Sequence, residues 1–207
     1  MTNVIEDFFK SIVPREALPL EDVRLGLDEA LIDEMELMPL MERHHGFLEE
    51  SIEVLMRKDA LDIEKQDHLF RFFRLLEMHG KAEEEVLYTA LRSHADKDAR
   101  LAGFAAQDEH DVAFRIEREL LEMGYRDTWN EEIEAKAKVV ASLVKNHIKE
   151  EESEIFPLAE KLIPQPELER MSETYCVKCK IYLSDSLQTS ISHPLTRMSP
   201  AESKYPH

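Results

Sequence analysis

A motif that could bind metal occurs twice in this chain, at residues 79–88 and 147–156. Both copies have the order His-x-x-x-Glu-Glu, then two spacer residues, then an aliphatic and an aromatic residue. On a helix, residues four positions apart lie on the same face, about 5–6 Å apart at Cβ. Each copy therefore presents an imidazole and a carboxylate side by side. Two copies facing each other would form a metal site whose carboxylates could bridge two ions.

A single histidine precedes each copy of the motif and completes the pattern. His44 lies upstream of the first copy, and His110 lies upstream of the second. The repeat predicts a duplicated two-helix unit, and hence four helices related by a pseudo-twofold axis through the site. The neighbouring His45 is an alternative first ligand, but overlaying the apolar residues of the two halves favours His44.

Apolar spacing predicts helices over 39–58, 62–93, 96–123 and 128–162, with Asp96 as an N-cap and Gly124 as a stop. The paired histidines and glutamates fall inside the apolar stripes, with no Lys or Arg beside them on those stripes. Burying ionised carboxylates without a counter-charge costs several kcal/mol each, which favours a metal centre over a metal-free bundle with hydrogen-bonded histidines. Imidazole ligands suit iron, zinc, copper and nickel, so residue type alone leaves the metal open.

Composition excludes several classes of function. The 207 residues carry a formal net charge of -18, which argues against binding to nucleic acid and to anionic membranes. No apolar run is long enough to predict a transmembrane helix, and the first residues lack the features of a signal peptide. Two cysteines are too few for a disulfide framework. The composition predicts a mostly helical cytoplasmic protein.

The chain divides into three predicted segments. Residues 1–36 form a lead-in with a short amphipathic helix, 37–165 form the bundle, and 166–207 form a C-terminal extension. That extension is predicted to have a short helix at 167–175 and a loosely ordered tail from Cys176 onward. Cys176 and Cys179 form one C-x-x-C pair, which could be a redox pair, half of a shared zinc site or two inert thiols. The inert or loosely redox interpretation is favoured.

The order of these histidines and glutamates resembles the hemerythrin-like (HHE cation-binding) family over about residues 35–165. The local contexts Glu-Glu-Val-Leu-Tyr and Glu-Ile-Phe-Pro are also similar. The resemblance implies an all-α, up-down four-helix bundle with a non-haem di-iron centre. Two iron ions per chain would be bridged by both glutamates and by an oxo or hydroxo group. The implied metal ligands are His44, His79, Glu83, His110, His147 and Glu151.

The family includes oxygen carriers, oxygen and iron sensors, and proteins that handle nitric oxide, peroxide or iron-centre repair. Oxygen carriers have a further histidine four residues after the one that aligns with His110, and this chain has Phe114 there. We therefore expect a centre that binds or reacts with a small oxidant, namely O2, nitric oxide or peroxide, rather than a reversible carrier. The alternative is an iron or oxygen sensor whose fold depends on iron and whose terminal segments bind a protein partner. Ferroxidase or iron storage is less favoured, because nothing suggests a cage.

Overall fold

The computed structural model describes residues 36–191, with side chains described for residues 36–183. The predicted lead-in and its short helix fall almost wholly before residue 36 and so lie outside the described residues. The last part of the predicted tail, from residue 192, also lies outside them.

Helices account for nearly all of the described chain, and no strand occurs within it, which confirms the all-α prediction. The helices are α1 (Leu37–Met56), α2 (Asp62–Glu83), α3 (Thr89–Ser93), α4 (Lys97–Glu122), α5 (Glu131–Glu150), α6 (Phe156–Leu162) and α7 (Gln165–Ile191). Two π-helical turns join consecutive helices: π1 (Glu84–Tyr88) lies between α2 and α3, and π2 (Glu151–Ile155) lies between α5 and α6. The four predicted helices thus correspond to α1, to α2 with α3, to α4, and to α5 with α6.

These segments pack side by side around one core. Helix α1 packs against α2 and α5, and α4 packs against α3 and α5. Their facing sides carry one cluster of buried apolar side chains that includes Leu48, Leu69, Ala113 and Val140. Because apolar residues recur every three or four positions, each helix presents an apolar side to its neighbours. The structure confirms a helical bundle, while the up-down order of the helices stays a prediction.

The start and end of α4 follow the signals in the sequence. The Asp96 carboxylate accepts hydrogen bonds from the backbone N–H groups of Asp98 and Ala99, which have no partner within the first turn. Gly124 adopts a φ of 71°, a left-handed conformation that glycine reaches without steric cost and that ends the helix. Both predictions are confirmed, and the chain then turns to begin α5.

The prediction of a loosely ordered tail from Cys176 is wrong for the described residues, because α7 continues to Ile191. Its buried side recurs at helical spacing and faces mainly α2. That side consists of Leu168, Met171, Ser172, Tyr175, Cys176 and Cys179. Cysteine packs as a small apolar residue, so the two thiols extend the stripe instead of ending it. The domain division at residues 37 and 165 stays a prediction.

Polar contacts at the outer side of α7 fix it against π1. Lys178 and the Tyr182 hydroxyl both donate hydrogen bonds to the carboxylate of Glu85. The Lys81 ammonium lies 5.6 Å from the centre of the Tyr182 ring. Exposed pairs of this kind add at most about 1 kcal/mol each, so the buried stripe supplies most of the docking energy. Among the described helices, none is both long and apolar enough to cross a membrane.

Candidate metal centre

Six buried side chains form two overlapping groups of possible metal ligands. One group contains His45, His79, Glu83 and Glu151, and the other contains Glu83, His110 and His147. Within each group, one ligand atom per residue lies within 4.8 Å of all the others. Because Glu83 belongs to both groups, one cation in each would share its carboxylate.

The structure places His45 in the cluster, whereas the sequence favoured His44. Both rings are buried, so burial does not distinguish them. The His44 Nδ1 atom lies 2.8 Å from the hydroxyl of Tyr175, on the side of α1 that faces α7. Adjacent residues of a helix point about 100° apart, so only one of the two can face the cluster. The overlay of apolar residues compared spacing along the chain and did not resolve this difference of one position.

Three of the four histidines in the cluster have a carboxylate behind the ring. The contacts are His45 Nδ1 to Glu152 at 2.8 Å, His110 Nδ1 to Glu84 at 3.2 Å, and His147 Nδ1 to Glu109 at 2.6 Å. Such partners orient metal-binding imidazoles and fix the tautomer that leaves the other nitrogen free for the metal. In each of these rings the Nε2 atom faces the cluster.

Sequence reasoning missed the second glutamate of each motif, although both copies contain one. Glu84 and Glu152 occupy equivalent positions, and each reaches a histidine on a neighbouring helix. Those histidines are His110 and His45, which makes His45 the structural counterpart of His110. The repeated Glu-Glu pair was therefore a signal both for these outer carboxylates and for the choice of His45.

The Nε2 atoms of His110 and His147 lie so close together that two neutral rings would repel each other. A carboxylate can only accept, so the Nδ1 atoms of His110 and His147 carry the hydrogen. The Nε2 atom of each neutral ring then presents a lone pair, and the two Nε2 atoms are 2.9 Å apart. A proton or a cation between them removes this repulsion.

Other inward-facing atoms of the cluster have no hydrogen-bond partner. These atoms are His45 Nε2, Glu83 Oε1 and Glu151 Oε2. His45 Nε2 and Glu151 Oε2 lie 3.2 Å apart, so they can form an ion pair when the imidazole is protonated, although their geometry is poor for a hydrogen bond. Buried polar atoms are nearly always satisfied, so three unsatisfied ones in a single cluster fit a bound cation. The nitrogen and carboxylate donors present therefore suit a metal site.

Comparison with protein families agrees with this geometry. The profile of the hemerythrin HHE cation binding domain matches residues 32–159, more than half of the chain. The chain belongs to the hemerythrin HHE family. No curated protein and no solved structure shows a significant match. All six residues of the cluster lie within the matched range, and the whole of α7 lies beyond it.

The electrostatics of the hemerythrin centre show what a cation would replace. Burial, together with the nearby charge of Glu151, raises the pKa of Glu83 well above its usual range. Although burial opposes ionisation of Glu151, the imidazoles of His147 and His45 hold the pKa of that carboxyl below its usual range. Burial also opposes protonation of these two rings, but Glu151, together with Glu152 at His45 and Glu109 at His147, outweighs it and raises the pKa of each. Metal ligands must be deprotonated, so a cation would displace these protons and bind more tightly as pH rises.

The fourth histidine of the centre, His79, is held by a phenol from α7. Its Nδ1 atom lies 2.6 Å from the hydroxyl of Tyr175, which is fully buried. For Nε2 to bind a cation, Nδ1 must donate to Tyr175, whose own hydrogen can then be donated to His44. The Cys179 thiol also hydrogen bonds to Tyr175. Helix α7 thus supplies an outer partner of the centre, which the sequence motifs did not indicate.

Phe114 lines the wall of the hemerythrin centre one turn beyond His110. The two ring centres are 6.0 Å apart. A Cβ added at Gly80 would lie 3.2 Å from atoms of both rings, so the absence of a side chain at Gly80 makes room for them. An apolar ring therefore stands where oxygen carriers of the family have a further histidine.

Replacing either outer carboxylate of the motifs should weaken metal binding without unfolding the protein. Glu84→Gln and Glu152→Gln keep the side-chain shape but remove the charge behind His110 and His45. We expect about a 10–100-fold loss of metal affinity, measured by competition with a chelator. Glu154→Gln is the matched control, because Glu154 is an exposed glutamate of the same turn. Unchanged affinity in the first two variants would show that these contacts do not orient the ligands.

Removing the Tyr175 hydroxyl should weaken binding through His79. Tyr175→Phe keeps the buried ring and hence the packing of α7, but leaves His79 Nδ1 without its partner. We expect about a 10-fold lower metal affinity, with nearly unchanged secondary structure by circular dichroism. Tyr182→Phe is the control, since it removes a hydroxyl from the same helix that bonds Glu85 outside the cluster. Equal affinities for the two variants would rule out a positioning role for Tyr175.

Proposed function

We propose that this hemerythrin-family protein binds two iron ions and reacts with a small oxidant, either O2, nitric oxide or peroxide. The observation that carries the proposal is the pair of ligand groups that share Glu83 and leave three buried atoms without partners. Two adjacent cations would satisfy these atoms and neutralise the two carboxylates. Iron at both positions would supply electrons and open coordination positions for the oxidant.

Each group of the cluster would have a distinct role. His45 and His79 would hold one iron, and His110 and His147 would hold the other. Glu83 would bridge them, and Glu151 would join the bridge, because its Oε2 atom lies 3.4 Å from His147 Nε2 as well as close to His45. Typical two-metal sites have ions about 3.5–4 Å apart, which carboxylate bridges set.

Two features favour a small oxidant over a larger or charged substrate. The ligand side chains are almost completely buried, which leaves little room for a bulky molecule. Phe114 adds an apolar ring beside His110. With a ring at that position, no further imidazole comes from that turn of α4. The iron bound by His110 and His147 would therefore have one imidazole fewer than in a carrier.

Iron loading and oxidation kinetics test this proposal. We expect two irons per chain after anaerobic reconstitution, measured by elemental analysis, and rapid oxidation on mixing with air, followed by stopped-flow absorption. Glu83→Ala and His147→Ala should each lose most of the iron, because each removes a ligand from a buried site. His68→Ala is the control, as this histidine is on α2 but about 16 Å along the helix from His79.

Two results would contradict the proposal in different ways. Full iron loading in a Glu83→Ala, His147→Ala double variant would remove the assigned ligands from the site. A reversible oxygenated spectrum that lasts for minutes and disappears under argon would make the protein a carrier.

A second candidate function is an iron sensor, and the contact between α7 and the centre favours it. Tyr175 links α7 to His79, so loss of iron could loosen the docking of that helix and expose its apolar side to a protein partner. Val177 and Ile181 on α7 are already exposed large apolar residues. Under this proposal, metal occupancy would control the order of the C-terminal segment.

Limited proteolysis with and without iron separates the two candidates. A sensor predicts rapid cleavage within α7 after iron removal and protection when iron is restored. A centre that serves only to react with an oxidant predicts the same cleavage pattern in both states. Mass spectrometry of the fragments would identify the cleavage sites.

A further inference from the structure

The hydroxyl of Tyr88 lies among the proposed ligand atoms of the second group. It is 3.1 Å from Glu83 Oε2, 3.2 Å from His147 Nε2 and 3.4 Å from His110 Nε2, and it also contacts Glu151 Oε1. The side chain is fully buried. No other hydroxyl in the described part of the chain contacts so many of the proposed ligands.

These contacts exceed what a hydroxyl can satisfy by hydrogen bonding. A phenol has one hydrogen, so it can donate to one of the two carboxylates. In the deprotonated state that metal binding requires, the Nε2 atoms of His110 and His147 present lone pairs, because the outer carboxylates hold the hydrogen on Nδ1. The remaining neighbours of the Tyr88 oxygen are therefore acceptors. Their lone pairs face the lone pairs of the Tyr88 oxygen, which is unfavourable. A cation among them turns these unfavourable contacts into coordination bonds.

The π turn explains how Tyr88 reaches the centre. In an α-helix, five residues advance by about 500°, so Tyr88 would point about 140° away from Glu83. Residues 84–88 form π1, and a π turn takes an additional residue to complete. The π turn therefore places the Tyr88 side chain on the same helix face as Glu83.

The second copy of the motif has the same construction without the hydroxyl. Phe156 occupies the position that corresponds to Tyr88, directly after π2. Its ring stacks on His45, with centres 5.6 Å apart and planes 11° apart. The two side chains at this position thus differ by one oxygen atom, and that atom lies beside Glu83, His110 and His147. A phenyl ring is already accommodated at this position of the motif.

We propose that the Tyr88 oxygen is a protein ligand of the metal ion bound by Glu83, His110 and His147. This assignment rests on the proposed iron centre. Formation of the metal–oxygen bond would break the O–H bond, release the proton to solvent and leave a phenolate as the ligand. The second ion would then have two imidazoles, the two bridging carboxylates and a phenolate, whereas the first would have two imidazoles and the same two carboxylates. Tyr88 makes the two positions chemically different.

The visible absorption of the iron-loaded, oxidised protein tests this assignment. Ferric phenolates absorb strongly in the visible range, because electron density moves from the phenolate oxygen to the metal. We expect such a band in the wild-type protein and its loss in Tyr88→Phe, with iron content largely retained. Tyr182→Phe, which changes a hydroxyl outside the cluster, should keep the band.

Resonance Raman spectroscopy of the wild-type protein gives a second readout that needs no variant. Excitation within the visible band should enhance vibrations of a metal-bound tyrosinate. If the protein contains two irons but shows no such vibrations, Tyr88 is not a ligand, while the iron centre stands. If the folded wild-type protein binds no iron, the proposed function fails, and this assignment fails with it.

Discussion

Two carboxylates lie side by side in an apolar core, and the rest of this structure accommodates their charge. Glu83 and Glu151 are fully buried, and moving each ion from water into such surroundings costs several kcal/mol. Four imidazoles surround them. Burial and the charge of Glu151 raise the pKa of Glu83, and nearby carboxylates raise the pKa values of His147 and His45, so without a metal these groups hold protons more readily than they would in water. A bundle without these groups would be a more stable way to fill the same space. The presence of these groups in the core fits the cation-binding domain family to which the chain belongs.

The helices and most of the cluster were predictable because they depend on local periodicity. A histidine and a glutamate four residues apart must share a helix face, and their place in the apolar stripe puts that face inside the bundle. Duplication of the motif then indicated that two such faces meet. This reasoning identified His79, Glu83, His110, His147 and Glu151, all of which the structure brings together.

The features that sequence reasoning missed depend on contacts between distant segments. His44 and His45 are both buried, and only the position of α7 shows which of them faces away from the cluster. Tyr175 lies far along the chain from the histidine that it contacts, and no spacing rule connects them. The π turns also escape a periodicity argument, since inserting one residue changes the phase at the point where Tyr88 joins the site.

The position of Tyr175 on α7 has a consequence for how the protein is made. A chain that is still being synthesised and has reached residue 165 contains both histidine–glutamate motifs but not yet the hydroxyl that orients His79. A cation that reached such a nascent chain would meet one imidazole without its Tyr175 partner. The ribosome must therefore deliver α7 as far as Tyr175 before the cluster can acquire its full set of contacts, so this site is completed late in synthesis.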